Sequence, residues 1–196
     1  MYRFYLAAID MLPGALLLAP VYVLLNRFCF HNARKSILYY LFSCYLSIIY
    51  ILVGLPNVTY IRPELNLNLV PFVGMIEDWK NSILNILLFV PLGIFLPLLW
   101  RRFRSATSTV LFGFGMSLAI ELLQILTFRA TDVNDLITNT LGTLLGFCFA
   151  RLFPKKYYPT NTGKNRDILI VLSTVLLLMF FVYPFISAAM WDLILS

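Results

Sequence analysis

Charge is what this sequence has least of. Asp, Glu, Lys and Arg make up only 12% of its 196 residues, against about a quarter in a soluble domain of ordinary composition. With 61% of the chain hydrophobic, a single small globule has too little interior to hide that surface from water. An ordinary soluble domain is therefore excluded, and the bilayer is the solvent to consider. Histidine is nearly missing. His31 stands alone in a basic loop, so no His-based zinc site is expected near the carboxylates. Cysteine is scarce as well: Cys29, Cys44 and Cys148 are odd in number and lack C-x-x-C spacing, which argues against a disulfide or a sulfur-built metal site. Cys44 and Cys148 lie in apolar runs, where the thiol behaves as a small hydrophobe. No convincing internal repeat, low-complexity segment or cofactor motif is present.

What the chain does have is long apolar runs. A membrane-spanning helix needs roughly 20 consecutive apolar residues, and the runs predict an all-α, polytopic transmembrane bundle with about six spans. These are Phe4–Leu25, Ser36–Leu55, Ser82–Trp100, Ala106–Phe128, Val133–Phe153 and Ile168–Trp191. The first run is too long for a signal-peptide core of about 7–15 residues and has no clear small-residue cleavage site, so a retained helix is expected. The net charge of +6 would suggest nucleic acid in a soluble protein. Here the positive residues cluster between apolar runs, so nucleic acid is not the expected partner. Eleven of the fifteen basic residues fall in three alternate loops: Arg27, Arg34 and Lys35; Arg101, Arg102 and Arg104; Arg151, Lys155, Lys156, Lys164 and Arg166. Arg3, Arg62, Lys80 and Arg129 fall on the other side. Positive loops stay in the cytoplasm, which predicts both termini outside. The long connection Pro56–Asn81 carries "LNLVPFVGMIEDWK". It is expected to dip into the outer membrane face or cap the bundle, with Trp79 at the interface.

Polar residues gather in one place. Positions three and four apart share a helix face. On span four this lines up Gly113, Ser117, Glu121 and Gln124, and on span five Asp132, Asp135, Asn139, Gly142 and Gly146. The short link "RATD" makes these spans antiparallel neighbours, so the two stripes are expected to face each other. At 1.5 Å per residue, Glu121 lies roughly 10 Å, Asn139 roughly 9 Å and Asn85 roughly 5 Å inside the outer ends of their spans. An ionised carboxylate in lipid costs roughly 2.5 kcal/mol or more. Glu121 should therefore turn inward and be paired, with Arg129 as a partner, or be protonated. Two readings stay open: a polar site, or interhelical hydrogen bonds that only hold helices together. Gly142-x-x-x-Gly146 reads as a close-packing face, with Gly113 and Gly146 letting spans four and five approach at their inner ends. Pro91 reads as a kink in span three. Asp10 either joins the polar site or sits near the interface. Ser117 has no neighbouring His or Lys to activate it. Glu121, Asp132 and Asp135 are oxygen donors of the kind a hard cation takes, but their spacing matches no metal loop, and no metal is expected.

"NLVPF" (Asn68–Phe72), "NILLFVPLG" (Asn85–Gly93), "IELLQ" (Ile120–Gln124) and "RATDVNDLITNTLGTLLG" (Arg129–Gly146) resemble the VanZ-like membrane family in order and mutual spacing. The resemblance covers a core of about 66–151 within a single membrane domain of 1–196, and leaves an extra C-terminal span of about 168–191 outside. It implies a multi-pass protein of a Gram-positive plasma membrane. It also implies, through the family's namesake, a link to reduced susceptibility to teicoplanin-type lipoglycopeptides. The family's characteristic polar residues fall on Asn85, Glu121, Gln124, Arg129, Asp132, Asp135 and Asn139. The function expected is an outward-facing polar pocket bounded by these residues and capped in part by Asn68–Phe72. It would bind a cell-envelope amphiphile: a membrane lipid, a cell-wall lipid precursor or a lipoglycopeptide. Two alternatives are an intramembrane enzyme acting on a lipid headgroup, with Glu121 as acid or base, and a structural partner of envelope proteins. A transporter is disfavoured, since no polar residues continue the path inward.

Overall fold

The computed structural model describes residues 2–63, 66–75, 78–127, 131–153 and 163–195. Among the described residues the chain is all-α apart from one two-residue strand pair. Its elements are α1 (Tyr2–Leu25), a π-helical turn (Asn26–Phe30), α2 (Ala33–Leu52), β1 (Leu67–Asn68), α3 (Trp79–Leu99), a 3-10 turn (Arg101–Arg104), α4 (Ala106–Gln124), β2 (Thr131–Asp132), α5 (Val133–Leu152), α6 (Asn165–Phe181) and α7 (Tyr183–Leu195). Among the described residues, Asp10–Phe30, α2, α3 and α4 are each long and apolar enough to cross a membrane. The run expected as one sixth span is broken instead. α6 and α7 meet at a 51° bend, next to Pro184, whose ring cannot continue an established helix but is tolerated in a first turn. Taken together the pair would make a fifth span. The fifth helix, α5, is long enough but carries the polar residues that lower its apolarity.

The chain divides into two compact units, one of residues 1–61 with 166–196, the other of residues 62–165. The first packs α1 on α2 and α7 on α1, and ties them with tyrosines, tryptophan and serines. The Tyr22 hydroxyl meets Ser43 Oγ at 2.5 Å, the Ser36 hydroxyl donates to the Tyr22 carbonyl at 3.1 Å, and the Tyr39 hydroxyl donates to Asp167 at 3.1 Å. Asp10 has its partners here. Its carboxylate accepts the Trp191 indole N–H at 2.8 Å, and its carbonyl accepts the Tyr183 hydroxyl at 3.0 Å. A carboxylate on a spanning helix thereby finds a donor, the Trp191 indole, on a neighbouring helix, as lipid requires.

The second unit is built around α5. Its small-residue stripe lies against α3. An atom added as Cβ on Gly142 would stand 2.3 Å from the Ile86 carbonyl oxygen, and one on Gly146 would stand 2.0 Å from that of Val90. The facing residue on α3 is itself a glycine, Gly93, whose added Cβ would meet the Thr143 oxygen at 2.1 Å. Partner positions rise together along both chains, so α3 and α5 run parallel. The expectation that Gly146 serves the α4 contact is corrected. Gly146 packs on Val90 and Gly93, while Gly113 of α4 rests on the Thr143 side chain. Both faces of α5 are used, and the outward faces stay apolar, with Leu122, Leu87 and Phe149 exposed. The helix α3 continues through Pro91 and Pro97 as one element to Leu99.

Candidate functional site

The polar residues meet where α4 ends and α5 begins. α4 stops at Gln124, earlier than the apolar run suggests, because Thr127 turns back and donates both its N–H (2.9 Å) and its hydroxyl (3.0 Å) to the Gln124 carbonyl. Glu121 is therefore three residues, roughly 4.5 Å, from the helix end, shallower than the apolar run implies. It remains buried, at 4% exposure. One carboxylate oxygen accepts the Asp132 backbone N–H at 2.9 Å, and its own carbonyl accepts the Thr131 hydroxyl at 3.1 Å. A charge-assisted bond from a backbone N–H is among the stronger ways to hold a buried carboxylate.

A turn deeper, the Asn139 amide of α5 donates to Ser117 Oγ of α4 at 2.9 Å. This places Asn139 on the same face as Glu121, since Ser117 and Glu121 are one helical turn apart. Asn139 is 3% exposed, and its Oδ1 accepts no hydrogen bond among the described residues. A buried carbonyl oxygen left without a donor costs about 1–3 kcal/mol. Gln124 is likewise buried at the end of α4. The stripes of α4 and α5 thus face each other as the helical spacing implies.

Asp132 and Asp135 are both engaged by groups of the protein itself. Asp132 is the N-cap of α5: one oxygen accepts the Asn134 N–H at 2.8 Å, and the other accepts the Asn68 amide at 3.1 Å. Capping satisfies an otherwise orphaned helix donor and is worth roughly 1 kcal/mol. Asp135, in the first turn of α5, accepts the Asn85 amide of α3 at 2.8 Å, with the helix dipole favouring its charge there. Among the described residues, no group of three or more His, Cys, Asp or Glu side chains is placed to hold one metal ion. Arg129 lies outside the described residues.

The segment 66–75 lies over the start of α5. β1 and β2 pair in parallel, Leu67 with Thr131 and Asn68 with Asp132, and the Thr131 N–H reaches the Asn66 carbonyl at 2.9 Å. Asn134, which the sequence pattern did not single out, is the second anchor. It is 5% exposed, accepts the Phe72 N–H at 2.7 Å and donates to the Val73 carbonyl at 2.9 Å. Phe72 has φ 68°, a left-handed conformation uncommon for a bulky residue, and Asn134 holds it there. The tip stays greasy, with Leu69, Val70, Phe72 and Val73 exposed. The only sequence signal for Asn134 is an amide two residues past an N-cap Asp. Its partners are backbone groups sixty residues away, which spacing cannot reveal.

Apolar helices that enclose a polar cluster at one end define the class, an all-α membrane bundle. A family model described as VanZ/LLP1 matches residues 37–154, a range that starts in α2 and contains the whole cluster. The chain is 30% identical over 119 residues to Protein VanZ of Enterococcus faecium, an alignment covering 60% of this chain and 71% of that protein. The chain belongs to the VanZ/LLP1 family. No solved structure matches it.

Proposed function

We propose that this protein sits in the plasma membrane of a Gram-positive cell with both termini and the polar end of α4 and α5 outside. There it engages the polar head of a cell-envelope amphiphile, a cell-wall lipid precursor or a teicoplanin-type lipoglycopeptide, and so contributes to glycopeptide resistance. The observation that carries this reading is the buried set Ser117, Glu121 and Asn139, capped by a segment whose exposed side chains are apolar. Intramembrane ionisable groups are costly and mark function more often than packing. Asn139 Oδ1 supplies an acceptor and Glu121 a carboxylate for the hydroxyl and amine groups of such a headgroup. The greasy tip of 69–73 suits the same interface as the ligand's acyl chain.

The test is Glu121→Gln, which keeps the shape and one acceptor oxygen for the Asp132 N–H but removes the charge. Hydrogen bonds to charged groups are worth about 1.5–3 kcal/mol, so binding of a fluorescent lipoglycopeptide or cell-wall lipid precursor should weaken about tenfold or more, with yield and thermal midpoint near wild type. An unaltered affinity and unaltered teicoplanin susceptibility in the expressing host would remove Glu121's charge from the function. Orientation is tested separately. A cysteine at Thr59 should react with a membrane-impermeant thiol reagent in intact cells and one at Arg102 should not; the reverse pattern inverts the proposed topology.

A further inference from the structure

The first unit carries a cavity with chemistry of its own. A groove of about 330 Å³ lies between the end of α1 and the start of α2, lined by Tyr22, Val23 and Asn26 on one side and Ala33, Ser36 and Tyr40 on the other. That volume is at the lower end of small-molecule sites, about 300–1,000 Å³. Its polarity is graded. Along the helices, Val23 and the further lining residue Ile37 are exposed apolar walls. At its head, the Asn26 side chain accepts the Asn32 N–H at 3.0 Å through Oδ1, so its NH₂ end is the donor left for an acceptor in the groove. The deeper hydroxyls are already engaged: Tyr22 with Ser43, and Ser36 with the Tyr22 carbonyl.

The residues that adjoin that head in sequence are basic. Arg27 follows Asn26, and Arg34 and Lys35 stand between the lining residues Ala33 and Ser36. Arg27 and Arg34 are exposed. No acidic residue occurs between Asp10 and Glu64. Asp167 reaches α2 through Tyr39, which does not line the groove, and is itself buried. A soluble anion would use the cations and the amide but leave Val23 and Ile37 idle. A zwitterionic lipid would bring its own cation against three others. We propose that this groove binds an anionic glycerophospholipid of the leaflet on the basic side. The phosphate sits at Asn26, Arg27 and Arg34, and an acyl chain lies along Val23 and Ile37. Basic pockets between spanning helices select anionic headgroups in this way. The site shares no residue with the cluster on α4 and α5, and does not depend on the function proposed for that cluster.

Native mass spectrometry of the full chain, with phosphatidylglycerol, phosphatidylcholine or inorganic phosphate added to the detergent, tests it. Wild type should retain phosphatidylglycerol in preference to phosphatidylcholine, and inorganic phosphate should not displace it. The double variant Arg27→Gln/Arg34→Gln should cut phosphatidylglycerol retention about tenfold or more, each charge near a lipid surface being worth about fivefold. Arg34→Lys should keep it, and Ala33→Phe, which fills the groove from an exposed position, should lose both lipids. Equal retention of the two lipids, displacement by phosphate, or full retention by the double variant would overturn the proposal. If the double variant does not elute as one species, salt decides on wild type: retention that falls steeply with ionic strength supports the site, and retention indifferent to salt overturns it.

Discussion

Against α3, helix α5 offers bare backbone; against α4 it offers hydroxyls and amides. On the α3 side Gly142 and Gly146 let carbonyl oxygens of Ile86 and Val90 come within about the space of one missing methyl group. On the α4 side the contacts run through side chains: Asn139 to Ser117, and Thr143 under Gly113. The difference lies in what can give way. Lipid provides no hydrophobic force between helices, so close van der Waals packing must hold them, and a helix backbone cannot rotate out of a clash. A side chain can change rotamer. The α3–α5 pair is therefore the fixed frame, and the α4–α5 seam is the place where polar groups can exchange partners when a ligand arrives.

Four substitutions rank this contrast. Gly146→Ala should cost most. Its Cβ would lie 2.0 Å from the Val90 oxygen, and overpacking of about 3 kcal/mol should lower the thermal midpoint in detergent by about 10 °C. A midpoint near wild type would mean the two helices are not in backbone contact. Asn134→Ala comes next. It removes both bonds to 72–73 and the support for the positive φ of Phe72, at about 1–2 kcal/mol. The change should appear as faster amide exchange confined to 66–75, and uniform exchange across α3, α4 and α5 would contradict that confinement. Gly113→Ala should be milder. The obstacle is the Thr143 side chain, with Oγ1 at 2.4 Å, Cγ2 at 2.6 Å and Cβ at 2.7 Å. A turn of the side chain moves the first two at the loss of its 3.0 Å bond to the Asn139 carbonyl, and the fixed Cβ requires the helices to part slightly, about 1–2 kcal/mol in all. A cost matching Gly146→Ala would erase the distinction between the two seams. Gly115→Ala should be smallest and of opposite sign. Nothing stands within 4 Å of its Cβ, and alanine favours a helix interior by up to about 0.8–1.0 kcal/mol; destabilisation would place an unseen neighbour there.

The helices were legible because apolar run length is the strongest signal a membrane chain carries. The polar stripes of α4 and α5 were legible because helical spacing puts Ser117, Glu121, Gln124 and Asn139 on faces that a short link brings together. What stayed hidden has a common cause. Gly142-x-x-x-Gly146 announces a close approach but does not name the partner. Loop length suggested α4, while the matching gap, Gly93, lies some fifty residues upstream on α3. The bonds of Asp132 to its own helix start and to Asn68 are a second thing that spacing does not announce. The two-residue strands have no periodicity to detect, and the break at Val182 shows only as Pro184 in an unbroken apolar run.

The pairing of 66–68 with 131–132 has one further consequence. The Thr131 amide is hydrogen-bonded to Asn66, and the next amide, that of Asp132, to the Glu121 carboxylate. Two adjacent amides thus keep time for two different neighbours, one for the overlying segment and one for α4. Their exchange rates form a built-in pair of clocks. A molecule that draws the Glu121 carboxylate away should speed the second clock and leave the first running unchanged, whereas lifting the segment should speed the first. Order of entry and uncovering is thereby written in the protection of neighbouring peptide bonds, readable without a label on protein or ligand.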